Sequence, residues 1–123
     1  MKKLIVGISG ATGAIYGIRL LEVLSKSDVE THLIITEAAE NTILMETDWE
    51  IKEVKSLAKV AYDIKDLGAD VSSGSFLSEG MVIIPCSIKS LSGIANSFNE
   101  NLLIRTADVT LKERRKLVLV VRE

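Results

Sequence analysis

Glu46 and Asp48 are two carboxylates two residues apart, at what the apolar periodicity makes the end of a helix. The helix dipole does not favour negative charge at that end, so they are either a solvated terminus or a pair kept for another purpose such as proton transfer. Lys112-Glu113-Arg114-Arg115-Lys116 is a charge run, which in a folded chain usually marks an exposed helix end, where cations complement the dipole. Cys86 follows an apolar run and has no conspicuous histidine partner, so a buried, inert thiol is the simpler reading than a nucleophile. His32, the single histidine, falls inside an apolar run and reads as structural.

Two segments suit an anionic ligand. Gly7-x-x-Gly10-x-x-Gly13 joins an apolar run to an amphipathic one, where the free N–H groups of a helix start attract phosphate and small residues let it approach. The spacing is not the Gly-x-Gly-x-x-Gly dinucleotide fingerprint, and no Gly-Lys-Ser/Thr follows, so neither an NAD site nor an NTPase phosphate loop is indicated. A tight turn with no ligand is equally compatible with this loop alone. Pro85-Cys86-Ser87-Ile88-Lys89-Ser90 repeats the arrangement after a later apolar run, with hydroxyls at a second helix start.

The elements that must position these loops follow from the pattern of apolar residues. Leu4-Ile5-Val6-Gly7-Ile8 is a continuous run, as in a strand covered on both faces of a parallel sheet. Ile15, Ile18, Leu21 and Leu24 recur at helical spacing, and residues 31–35 read as a second strand, which completes a strand, helix, strand crossover. Thr36 can cap a helix over 37–44, and a further helical turn or two is expected over 51–57, then a short strand over 61–64. Residues 70–76 read as a loop. A buried strand over 81–84 is expected to stop at Pro85, after which Ser87 caps a helix. A helix over 102–114 and a last strand over 117–121 complete an α/β doubly wound sheet. Ligands of such sheets bind beyond the carboxyl ends of the strands, the region into which Arg122 and Glu123 continue the final strand.

At 123 residues the chain fits one domain, 1–123, with a core that needs no disulfide staple. A 47% hydrophobic and 26% charged composition at net charge −2 is that of a compact globular protein without a basic field for nucleic acid. The lone cysteine gives no disulfide framework and no cysteine-based metal site, so a reducing cytoplasm is the expectation. Gly7, Ser9 and Gly10 interrupt the first apolar run too early for a signal peptide, and no stretch approaches a bilayer span.

Taken in register, Gly7-Ile8-Ser9-Gly10-Ala11-Thr12-Gly13-Ala14-Ile15-Tyr16-Gly17, Glu46-Thr47-Asp48, Ser73-Gly74-Ser75-Phe76, Pro85-Cys86-Ser87-Ile88-Lys89 and the segment Ala107-Asp108-Val109-Thr110-Leu111-Lys112-Glu113-Arg114-Arg115 resemble the UbiX-type flavin prenyltransferases, formerly described as aromatic- or phenolic-acid decarboxylase subunits. The resemblance covers essentially the whole chain. It implies a three-layer Rossmann-like or flavodoxin-like α/β domain with a mostly parallel sheet, assembled as a homo-oligomer, a dodecamer in the family, with flavin near subunit interfaces. The reaction it implies joins a dimethylallyl group from dimethylallyl monophosphate to N5 and C6 of reduced FMN, without a metal, to give the prenylated FMN used by a UbiD-type decarboxylase.

By position, the resemblance puts Gly10, Ala11, Thr12, Thr36, Ser87, Ile88, Lys89, Ser90 and Arg122 around FMN. Arg105 and Lys112 would neutralise the prenyl phosphate, and Glu46 and Glu123 would serve as acid–base groups, since phosphate leaving an allylic carbon develops negative charge. Three departures accompany it. Thr12 stands where serine is common, and Thr36-Glu37 stands where Ser-Lys is frequent, which keeps the hydroxyl and reverses the neighbouring charge. The third is the family's C-terminal segment, with a tyrosine and an arginine for the prenyl phosphate and a covering helix, to which nothing here corresponds; a shortened form of a family member is the expectation. Two other readings compete: a non-catalytic FMN-binding subunit of a hydroxyaryl-acid decarboxylase complex, and a flavin-dependent cysteine decarboxylase, against which the lack of a suitable early histidine counts.

Overall fold

The structure is a computed structural model that describes residues 2–123. Its strands and helices alternate as β1 (Lys3–Ile8), α1 (Ala14–Ser25), β2 (Glu30–Ile35), α2 (Glu37–Glu46), α3 (Ile51–Ser56), β3 (Val60–Tyr62), β4 (Gly80–Cys86), α4 (Ile88–Ala95), α5 (Leu102–Lys112) and β5 (Lys116–Val121). The five strands form one sheet in the order β3-β2-β1-β4-β5, and each neighbouring pair is parallel. The expected α/β sheet is therefore parallel throughout, and its order is the Rossmann half-order rather than the flavodoxin one.

Successive residues of a strand face opposite sides of a sheet, and here both sides are covered. Ile5, Ile34, Met81 and Ile83 pack with Leu102, Leu103 and Ala107 of α5 on one face. Val6, Ile8, Leu33 and Ile35 pack with Ile18 and Leu21 of α1 and Ile43 of α2 on the other. That two-sided burial is why the first strand is a continuous apolar run.

Two expectations are corrected. β4 does not stop at Pro85 but runs through Cys86, because its pairing with β5 shifts between Ile83 and Cys86 and the proline, which has no N–H to donate, sits at that irregularity. The loop expected over 70–76 begins with a 3₁₀ turn, Asp70–Ser72, tied down by the Ser72 hydroxyl donating to the Ala69 carbonyl. β5, as apolar as β1, is an edge strand with Val118 and Val121 exposed. No helix among the described residues is long and apolar enough to cross a membrane.

Candidate functional site

The parallel sheet brings helix starts to one edge. The Thr36 hydroxyl accepts from Ala39 N–H, Ser87 from Ser90 N–H, and the Asn101 side chain from Ile104 N–H, so α2, α4 and α5 each begin with a side-chain cap beyond the carboxyl ends of the strands. The strand order reverses between β1 and β4, and the loops after those two strands open a cleft of about 440 Å³ there. Gly10, Thr36, Ser87, Lys89 and Ser90 line it, five of the nine residues expected at flavin. Three capped helix starts converging on one space give it a positive field suited to an anion.

Residue type explains the cleft's floor. A Cβ built on Gly10 would lie 2.5 Å from the Cβ of Ala38 at the start of α2, so only glycine lets the first loop come this close to that helix. Two ion pairs stand in the lining, Lys65–Glu37 at 3.7 Å and Lys89–Glu100 at 3.5 Å. The charge reversal at Glu37 is thus met by Lys65. Ala38, Ile64 and Leu67 supply apolar surface, and Asn101 completes the wall. Sequence reasoning missed these lining residues; the capping position of Asn101, just before the apolar period of α5, was the one readable signal.

The other expected residues form a second cluster beside the cleft, at the start of α1. Gly13 takes φ +95° there, a left-handed conformation that glycine adopts without strain. Glu46, from the last position of α2, accepts through Oε1 from Gly13 N–H at 3.0 Å and from Ala14 N–H at 3.4 Å. Those N–H groups, opposed by some desolvation and helped by Thr12 and Arg122, hold its carboxyl below the usual range near 4.5. Glu46 is therefore ionised, with Oε1 committed to the start of α1. The carboxylate that the dipole of α2 disfavours is stabilised by the opposite pole of α1.

Arg122 donates through Nε to the Thr12 carbonyl at 3.1 Å, and its guanidinium stacks over Tyr16 with 5.1 Å to the ring centroid. The Glu123 carbonyl accepts from Thr12 N–H. Thr12 is exposed, Ala11 is buried behind the loop, and Ile88 is half exposed on the first turn of α4 outside the cleft lining.

Arg105 and Lys112 are not brought to this edge together. Leu102 N–H donates to the Ile64 carbonyl, which fixes the start of α5 at the cleft end of the sheet, whereas β5 begins beside Gly80 at the other end. Arg105 is exposed about one turn along α5. Lys112, exposed and 3.7 Å from Glu113, ends the helix, roughly 15 Å from its start at 1.5 Å per residue. The Ser73-Gly74-Ser75-Phe76 loop lies at that far end too, where Arg115 donates to the Gly74 carbonyl at 2.8 Å.

Cys86 is fully buried, and burial pushes its thiol up to about 11, so the reactive thiolate is absent at neutral pH. His32 is buried between Glu30, 2.8 Å from Nε2, and the Tyr62 hydroxyl, 2.7 Å from Nδ1, remote from the cleft. Among the described residues no group of three His, Cys, Asp or Glu side chains could hold a metal ion.

A nucleotide-sized cleft at the reversal of a parallel sheet, walled by capped helix starts, defines a flavoprotein-type site. Residues 1–122 match the family model described as Flavoprotein, and the chain belongs to that family. Within it, the similarity is to the UbiX-type flavin prenyltransferases. The chain is 60% identical over 124 residues to flavin prenyltransferase UbiX of Escherichia coli, with all of this chain and 66% of the relative aligned. It superimposes with a TM-score of 0.97 and 49% identity on AnUbiX (PadA1), solved in complex with FMN and dimethylallyl pyrophosphate, covering 99% of this chain and 65% of that one. The TM-score is 0.96, again at 49% identity, to a dodecameric FMN-dependent UbiX-like decarboxylase from Escherichia coli, covering 98% and 66%. The chain thus spans just under two thirds of the length of these relatives.

Proposed function

We propose that this chain is the FMN-binding part of a flavin prenyltransferase, which moves a dimethylallyl group from dimethylallyl monophosphate to reduced FMN. The observation that carries this reading is the contiguity of two subsites through the first loop. Gly10, Thr36, Ser87, Lys89 and Ser90 face a cleft of flavin scale, and Glu46, Arg122 and the Glu123 backbone meet at Thr12 and Gly13 beside it.

The residues present fit FMN. Hydroxyls and helix-start N–H groups suit its phosphate and ribitol, Ile64, Leu67 and Ala38 offer an apolar surface for a ring, and Gly10 lets the first loop pack against the helix start that walls the cleft. Ala11, Thr12, Ile88 and Arg122 belong to the same two loops and the strand end that frames them. Reduced flavin supplies the electron-rich ring that accepts the allyl group as the carbon–oxygen bond to phosphate breaks. Glu46, held ionised by the start of α1, and Glu123 are the acid–base groups of this subsite. Arg122, already bridging Thr12 and Tyr16, stands with the FMN contacts of the first loop.

Lys112 completes the phosphate site from a second copy of the chain, since it stands at the far end of α5 from its own cleft, whereas Arg105, about one turn along α5, lies towards its own. A homo-oligomer follows, of the dodecameric kind seen in the UbiX-like decarboxylase. The product would serve a UbiD-type decarboxylase, and the setting is the cytoplasm.

The test is to incubate the protein anaerobically with reduced FMN and dimethylallyl monophosphate, with the diphosphate in a parallel arm, and to read prenylated flavin by mass spectrometry. Prenylated FMN from the monophosphate is the expected result. Tight FMN binding with no product from either donor would leave the non-catalytic flavin subunit, and no FMN binding at all would reject both readings.

A further inference from the structure

Ser9 is 1% exposed, is not in the cleft lining, and belongs to neither subsite, yet it joins the two loops that form the cleft. The paired register of β1 and β4 ends at Gly7 and Ile83. Beyond it β4 slips register and passes through Pro85, which has no N–H to offer. Ser9 takes over there: its N–H and its hydroxyl both donate to the Pro85 carbonyl, at 3.1 and 3.0 Å, and its Oγ accepts from Ser87 N–H at 2.7 Å.

The hydroxyl proton is spent on Pro85 and a lone pair on Ser87, so Ser9 is committed to the second loop rather than to a ligand. Its effect passes through Ser87. With that N–H pinned, the Ser87 hydroxyl is aimed at Ser90, accepting from Ser90 N–H and donating to Ser90 Oγ at 3.1 Å, and both residues line the cleft. We infer that Ser9 is a positioning residue for flavin binding, a two-way hydroxyl latch that holds the Ser87–Ser90 turn against the first loop so that both meet the flavin as one surface. The task requires a group that donates and accepts within a buried space, which serine and threonine provide, alanine does not, and cysteine provides only weakly.

This inference rests on the reading of the cleft as an FMN site, and the experiment separates the two. FMN is titrated into wild type, Ser9→Ala, Ser9→Cys and Ser9→Thr, followed by flavin fluorescence and the visible spectrum. Urea curves of the flavin-free proteins fix conditions under which each variant is folded. Ser9→Ala and Ser9→Cys are expected to bind FMN roughly tenfold more weakly with an altered flavin band, and Ser9→Thr to restore both. A purely structural Ser9 would lower the urea midpoint and leave the affinity of the folded protein unchanged, which overturns the inference. If Ser9→Ala does not fold, Ser9→Cys binding as tightly as wild type overturns it equally. Failure of the wild type to bind FMN removes the flavin reading and the role of Ser9 with it.

Discussion

Glu46 is exposed by area, yet its carboxylate is committed to two backbone N–H groups, and that commitment sets its pH response. Its folded-state pKa lies below the unfolded value near 4.5, so its contribution to stability is complete above that value and is lost as pH falls through the folded one. Glu46→Gln keeps an acceptor oxygen and removes the charge. Urea unfolding should therefore find the variant less stable than wild type at pH 7, with the gap closing as pH falls below 4.5. A gap that stays constant down to pH 3 would mean that the carboxylate does not hold the start of α1. Cys86 gives a second test at this scale. A thiol raised to about 11 by burial should react with a thiol reagent at pH 8 only after urea unfolds the chain, and rapid labelling of the native protein would contradict its packing.

At the scale of elements, the caps carry both stability and site geometry. Thr36→Ala removes the acceptor for Ala39 N–H and should cost about 1 kcal/mol, read as a lower urea midpoint at unchanged slope, whereas Thr36→Ser should leave the midpoint near wild type. These caps were legible in the sequence because Thr36 and Ser87 each stand between an apolar run and a helical period, and the alternation of such runs gave the parallel sheet. Local chemistry did not reveal where β4 ends, because Pro85 is tolerated only through a slip in pairing with a distant strand. Nor did it separate β1 from β5, two equally apolar runs of which one is central and the other an edge. The cleft was half legible for the same reason. Gly10, Thr36, Ser87, Lys89 and Ser90 sit in recognisable loops, whereas Ile64, Leu67 and Glu100 reach it only through tertiary packing, and Ser9 holds a contact spanning 78 residues.

For the whole molecule, the direction of α5 decides what one chain can do alone. The helix starts at the cleft edge and ends at the other, and a six-residue strand separates those edges by about 20 Å. Lys112, assigned by position to the prenyl phosphate, and Arg122, assigned to FMN, therefore cannot meet within one copy. If neighbouring copies share the site, each cleft draws Arg122 from one chain and Lys112 from another, and damage to the two residues should complement in trans. Lys112→Ala and Arg122→Ala, each inactive alone, should regain activity when dissociated together and reassembled. Random mixing in equal amounts leaves about one quarter of the sites with both residues intact, so recovery towards that fraction of wild-type prenyl transfer is expected. The control mixes Lys112→Ala with the Lys112→Ala/Arg122→Ala double variant, in which no site is whole. Recovery no greater than in that control, with assembly verified by sedimentation, would place Lys112 outside the reacting site.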